Sequence, residues 1–398
     1  MKIAFTIFFL LLFSAFAGRK ILQGNPVSDA DVLAYSVFKH GDGITLYLYN
    51  PSSGETTSLY QSAEKLHFVF SSDGRLAFST DWIWKNNGEI FILNTAESEP
   101  SLLHLSQELD MQGYPLGWSQ DGKSLAFASV KEDGQQQAIY IWDGRTVKDI
   151  TPQNLLGIPD SFDIAWSYDG RLAFTIWFGF SNHEPNSEIY IWDGEKTFNL
   201  SQNVEAEDRE PVWNTNGEIA FGSTRDSEYS LLLWDGKSYA DDLPDVSSFT
   251  RIAPQLNISS PFSSWVSDDL LAFEASSPPH YIQVYTWDRE TWSNISQNPE
   301  THNGGARWSQ DGYWAFITFF SDPQRLYVRN ERNETVLETN GQFVPAWSSG
   351  GSLIFCSRNH VRDWELSRWD RATVSALAQG DEIFAQWRSG QTTVCSDG

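Results

Sequence analysis

One ten-residue phrase, WSQDGKSLAF from Trp118 to Phe127, recurs along the chain and restricts its fold more than any other feature. It returns led by Phe70, Trp166, Trp213, Trp265, Trp308 and Trp347, and a truncated copy starts at Trp387. Successive anchors are 48, 48, 47, 52, 43, 39 and 40 residues apart. A period in the forties, written in strand-like residues, is the signature of an all-β fold, the β-propeller. Each repeat is then one four-stranded antiparallel blade whose apolar faces are covered by its neighbours.

The parts of the repeat have separate physical roles. Asp-Gly pairs such as Asp73-Gly74, Asp121-Gly122, Asp169-Gly170 and Asp311-Gly312 supply the positive φ and local side-chain hydrogen bond of a tight hairpin, so these aspartates form turns. The following Leu-Ala-Phe run, as at Leu125-Ala126-Phe127, puts large residues on one face and a small one on the other. The alanine makes room for a bulky neighbour, which we expect to be the anchor tryptophan of the adjacent blade. A third strand ends in Trp-Asp-Gly, as at Trp142-Asp143-Gly144, and a fourth closes on Leu or Ile followed by Ser or Thr, as at Ile150-Thr151 and Leu200-Ser201.

The ends of the chain complement each other. Leu33–Phe38, Ile44–Asn50 and Thr56–Gln61 are strand-like without a tryptophan-led first strand, whereas Ile383–Trp387 is a first strand without a following blade. Joining them closes the ring and leaves no open sheet edge. The expectation is eight blades, with seven as the alternative if Thr392–Ser396 only caps the ring. The 398 residues divide into an export signal over 1–17, a short lead over 18–30 and one propeller domain over 31–398.

The Trp-Ser-x-Asp-Gly lead, the Leu-Ala-Phe strand, the Ile-Tyr strand at Ile139-Tyr140 and Ile189-Tyr190, and the closing Leu-Ser/Thr together resemble the TolB-like propeller repeat, a relative of the WD-repeat family. The resemblance runs from about residue 31 to the end. It implies the propeller fold and a bacterial periplasmic or surface setting. It is silent on activity, because that family holds scaffolds, binding proteins and the propeller halves of peptidases. The 398 residues contain neither the α/β domain of the Tol-Pal protein nor a peptidase's hydrolase domain.

Charge and cysteines narrow the setting. A balance of 27 Lys and Arg against 52 Asp and Glu gives −25, which argues against a nucleic-acid partner. Lys2, the apolar run Ile3–Phe13 and the small residues Ala15 and Ala17 read as an export signal, placing the protein in the periplasm, on the cell surface or outside. Arg19 and Lys20 leave an uncleaved anchor, and with it a membrane association, as the alternative. Cys356 and Cys395 stand 9 and 8 residues after Trp347 and Trp387. Equivalent positions on neighbouring blades lie too far apart to bridge, so two buried free thiols are expected.

No nucleophile elbow, zinc helix, phosphate loop or dinucleotide fingerprint is present, and the histidines lack metal-ligand spacing, so no cofactor, metal or catalytic residue is assigned. Up-and-down strands put the Ser-x-Asp-Gly and Trp-Asp-Gly turns on one face. The opposite face collects the loops and crossings where the repeats diverge, and variable loops on a rigid scaffold are where binding concentrates. Its candidate ligand-binding residues are Trp82, Trp84, Trp177, His183, Glu207, Asp208, Glu210, His302, Arg307 and His360, with Trp364 among the other aromatics. Aromatic and acidic groups around a mouth suit a protein, peptide or glycan ligand. The plainer reading is loop packing and a solvated acidic rim. An enzyme of glycan or peptide metabolism, using acids such as Asp163 and Glu210, is the alternative.

Overall fold

The structure, a computed structural model, describes residues 32–396 apart from 65, 81–87, 97–100, 131–136, 153–157, 182–183, 226–228, 241, 278–280, 322 and 359–362. Eight radial antiparallel sheets form the ring. Blade 1 is the composite: Glu382–Trp387 pairs with Leu33–Lys39, which pairs in turn with Gly43–Asn50 and then Glu55–Ser62. Its register sets Leu33 opposite Trp387 and Phe38 opposite Glu382, so the two ends of the chain close one blade. Blades 2 to 8 begin at Leu66, Gly113, Ile158, Asp208, Asn257, His302 and Gln342.

The repeated residues hold the ring together in a repeated way. In six seams the anchor indole donates to a carbonyl one residue before the preceding anchor: Trp118 to Val69, Trp166 to Gly117, Trp213 to Ala165, Trp265 to Val212, Trp347 to Arg307 and Trp387 to Ala346, at 2.9 to 3.3 Å. A buried indole N–H needs such a partner, and the inner strand's carbonyl supplies it. The alanine of the Leu-Ala-Phe run makes the space: Ala77 shares a core cluster with Trp118, Ala173 with Trp213 and Ala220 with Trp265. Phe70 cannot donate from its ring, and at that seam its backbone N–H donates instead to Gln386 Oε1 at 2.7 Å.

The closing Ser or Thr also has its cause. Ser106, Thr151, Ser201 and Ser296 accept through their hydroxyls from the N–H groups of Ile90, Ile139, Ile189 and Val284, at 2.8 to 3.1 Å, tying the outermost segment to the third strand. The longest step, 52 residues, contains a small hairpin, Tyr239–Ala240 with Leu243–Pro244, and a 3-10 turn at Val246–Ser248. Among the described residues one short α-helix departs from the all-strand expectation, Leu105–Leu109 on the crossing into blade 3.

The cysteines correct the expectation of free thiols: Cys356 and Cys395 form a disulfide with their Cα atoms 5.6 Å apart. The two positions are equivalent in the repeat but not in space. Leu33–Lys39 occupies the second-strand edge of blade 1, so Thr392–Cys395 turns to the other edge of Glu382–Trp387 and becomes a fifth, innermost strand. There it packs against the inner strand of blade 8, within reach of Cys356. The segment thus caps the ring while the blade count remains eight.

Candidate functional site

The turns share one face, as Arg171 shows by donating to Gly236 O at 3.2 Å and Gly217 O at 3.0 Å, one carbonyl from each turn of the next blade. Its guanidinium lies 4.5 Å from the Trp213 ring, a cation–π contact repeated by Arg75 over Trp118. The turn aspartates are occupied locally. Asp121 accepts from the Ser119 hydroxyl at 2.7 Å and from Lys123 N at 3.1 Å, and the Ser119 bond foremost lowers its pKa to about 2. This face is structural repeat, although two rim grooves open beside it. One, of about 660 Å³, is lined by Lys148, Trp192 and Leu243; the other, of about 480 Å³, by Arg251, Trp287 and the 41% exposed Trp292. Sequence reasoning placed no site there.

The opposite face carries a charged cluster on the inner strands of blades 4 and 5. Asp163, buried, accepts from the Thr175 hydroxyl and from the backbone N–H of Glu210 at 2.8 Å. That bond holds Glu210 in a left-handed conformation, φ 56°. Arg209 donates to Glu207 Oε1 at 2.8 Å and lies 3.5 Å from Glu210 Oε1. Burial and Glu207 together raise the pKa of the half-buried Tyr229 hydroxyl. Beneath them Asp208, 0% exposed, pairs with Arg225 at 3.3 Å; desolvation raises its pKa against the pull of that guanidinium. Arg225 also donates to Ser201 O and lies 5.3 Å from the Phe249 ring.

The predicted residues separate accordingly. Glu207, Asp208 and Glu210 come together, with Asp208 supporting the rim from below. Asp163 and Glu210 meet through a carboxylate-to-backbone bond that fixes the crossing. His302 lies on the same face in blade 7, accepts from Ile282 N at 3.2 Å and is flanked by Tyr281 and the 88% exposed Phe320. Trp177, half-buried, lies within the second strand of blade 4, Leu172–Ser181. Arg307 lies on the inner strand of blade 7. Trp364, read as an exposed loop aromatic, is buried between Phe343 and Arg358. Trp82, Trp84, His183 and His360 lie outside the described residues. Among the described residues no group of three His, Cys, Asp or Glu could hold a metal ion, and no helix is long and apolar enough to cross a membrane.

Sequence reasoning missed Arg225, which neutralises the buried Asp208, and Glu274 of blade 6. The signal for Glu274 was present. It is the one acidic residue at a position held elsewhere by Ser79, Ala128, Thr175, Gly222, Ile317 and Cys356.

The fold and face define a closed eight-bladed propeller with a uniform turn face and a charged, aromatic opposite face. No family model matches the chain, and no curated protein matches it in sequence. Solved structures do resemble it. A Porphyromonas gingivalis dipeptidyl peptidase 4 is 13% identical with a TM-score of 0.62, covering 93% of this chain and 61% of that one. A prolyl endopeptidase is 15% identical with a TM-score of 0.56, covering 88% of this chain and 55% of that one. The propeller domain of the Trilobed protease from Pyrococcus furiosus is 14% identical with a TM-score of 0.50, covering 90% and 98%. That domain is described as having an open velcro topology, whereas here Leu33–Phe38 pairs with Glu382–Trp387. This chain therefore spans little more than half of each full-length peptidase, and at these identities the likeness is one of fold.

Proposed function

We propose that this propeller is a non-catalytic binding protein that takes a peptide or an extended protein segment on the face opposite its Asp-Gly turns, over blades 4 to 7. One observation carries the reading: there the ionisable side chains fix the crossings to one another, and Arg209, Glu210 and Tyr229 stand beside an arc that continues to His302 and the exposed Phe320. A rigid rim of alternating charge with aromatic faces recognises polar backbone and side-chain apolar surface together. The similar structures include proteins named as peptidases, which supports peptide as the ligand class. The engagement of Asp163 with Thr175 and Glu210 supports binding over hydrolysis. The TolB-like repeats belong to the same proposal, as does export, for which the N-terminal apolar run and the Cys356–Cys395 disulfide are the support.

The test is a screen of the purified chain against peptide and polysaccharide arrays, with binding and turnover both read. Peptide binding without turnover is expected. Polysaccharide binding alone would replace the ligand class, and turnover of any substrate would overturn the non-catalytic reading.

A further inference from the structure

The seam between blades 6 and 7 is rebuilt around one carboxyl. Glu274, 9% exposed, occupies the strand position compared above and faces the next blade. Blade 7 answers with Gly304 and Gly305. A side chain on Gly304 would meet Glu274 Oε1 at 2.6 Å and the Phe319 ring at 2.7 Å, while Gly305, at φ 62°, donates its N–H to the same oxygen at 2.7 Å. Two residues on, Arg307 shares with Glu274 and Ser263 the lining of a cavity of about 20 Å³, room for roughly one water. Among the described residues the buried Ser263 hydroxyl has no hydrogen-bond partner.

Arg307 is a cation with donors to spare. Among the described residues its one side-chain hydrogen bond runs to Ala306 O at 2.9 Å, and it forms no ion pair. Glu274 and Glu210 act on it only through space, while burial lowers its pKa. Arg307 therefore lies at the seam with blade 6, where it lines the same cavity as Glu274 and Ser263. The neighbouring acids are engaged elsewhere or disfavoured as anions: Glu207 is bonded to Arg209, Glu210 lies 3.5 Å from that same guanidinium, Asp208 is paired with Arg225, and burial raises the pKa of Glu274. A planar fork of N–H groups, partly desolvated and unpaired, matches a carboxylate in geometry as well as charge.

We propose that Arg307 anchors a carboxylate of the bound peptide, either its C-terminal group or an acidic side chain, with Glu274 and Ser263 forming the wall behind it. This rests on the peptide-binding reading above. The experiment offers the immobilised full chain three hexapeptide pools randomised over Ala, Gly, Ser, Tyr and Lys: free C-terminal acids, C-terminal amides, and amides carrying one internal Glu. Retained peptide is quantified by mass spectrometry. At least tenfold enrichment of one carboxylate-bearing pool over the plain amides is expected, and which pool is enriched identifies the source. Arg307→Met should abolish the preference and Arg307→Lys should retain part of it, with melting curves for both. The wild-type comparison stands even if the variants do not fold. Equal retention of all three pools would overturn the anchor and leave the peptide reading intact, whereas retention of none would overturn both.

Discussion

The indole N–H of Trp387 donates to the carbonyl of Ala346 at 3.1 Å, so the last blade anchor is tied to the inner strand of the blade before it. Trp387 is fully buried and belongs to the strand that closes the ring. Trp387→Phe keeps most of the apolar contact and removes the donor, leaving the Ala346 carbonyl short of a partner. A loss of about 1–2 kcal/mol is expected from that unsatisfied group, measured as a shift in urea midpoint at unchanged slope. An unchanged midpoint would show that the repeated indole bond contributes nothing to the seam.

Cys356 and Cys395 join the fifth strand of blade 1 to blade 8 across 39 residues of chain. Loop closure of that length predicts a loss of about 3–4 kcal/mol when both are replaced by serine. Thermal unfolding with and without reductant checks this. Equal stability in both conditions would mean that sheet pairing alone holds Thr392–Cys395 in place.

Asp121 tests the turn reading. Its pKa is held near 2, chiefly by the Ser119 hydroxyl, against an ordinary 3.8. Its contribution is therefore present above pH 3.8 and lost as pH falls towards 2. Asp121→Ala should cost about 0.5–2 kcal/mol at neutral pH, by analogy with a lost capping bond, and the difference from wild type should shrink on acidification. Stability that depends on calcium in the wild type and not in the variant would contradict the turn role.

Glu274 has the opposite sign. Burial raises its pKa above the ordinary 4.5, so its contribution is fully present below pH 4.5 and lost as pH rises through the folded value. Glu274→Gln keeps an acceptor for the Gly305 N–H. Relative to that variant, the wild type should be more stable at pH 4.5 than at pH 7.5, read as the difference in melting temperature. The reverse trend would mean that Arg307 holds the carboxylate ionised.

The ring was legible because its parts repeat. Anchor tryptophans, Asp-Gly turns and closing Ser-Thr residues each appear often enough for the period to expose them, and the unmatched ends at Leu33 and Trp387 implied their own pairing. What was not legible depended on which of two edges a strand takes. Thr392–Cys395 is written like a second strand, yet Leu33–Lys39 already occupies that edge, so a reading by equivalent positions separated two cysteines that are bonded. Trp364 was misread for a related reason: residues beside a loop look exposed until a residue of another strand, here Phe343 on the inner strand of the same blade, covers them. At the candidate site the crossing acids were visible as a run, Glu205 to Glu210, whereas Arg225 stands alone in the loop after Ile219–Ser223 and Glu274 lies inside a strand whose repeated pattern drew attention away from it.

The most direct test of the account compares three surfaces of one molecule. Affinity for a peptide retained by the wild-type chain would be measured calorimetrically for Trp177→Ala combined with Phe320→Ala on the variable face, Asp121→Ala on the turn face and Trp292→Ala in a rim groove. Phe320 and Trp292 are 88% and 41% exposed, so their removal should leave the fold nearly untouched. The account predicts at least a tenfold loss for the variable-face variant, with the other two within twofold of wild type. Retained affinity in the variable-face variant, together with a loss at Asp121 or Trp292, would contradict it.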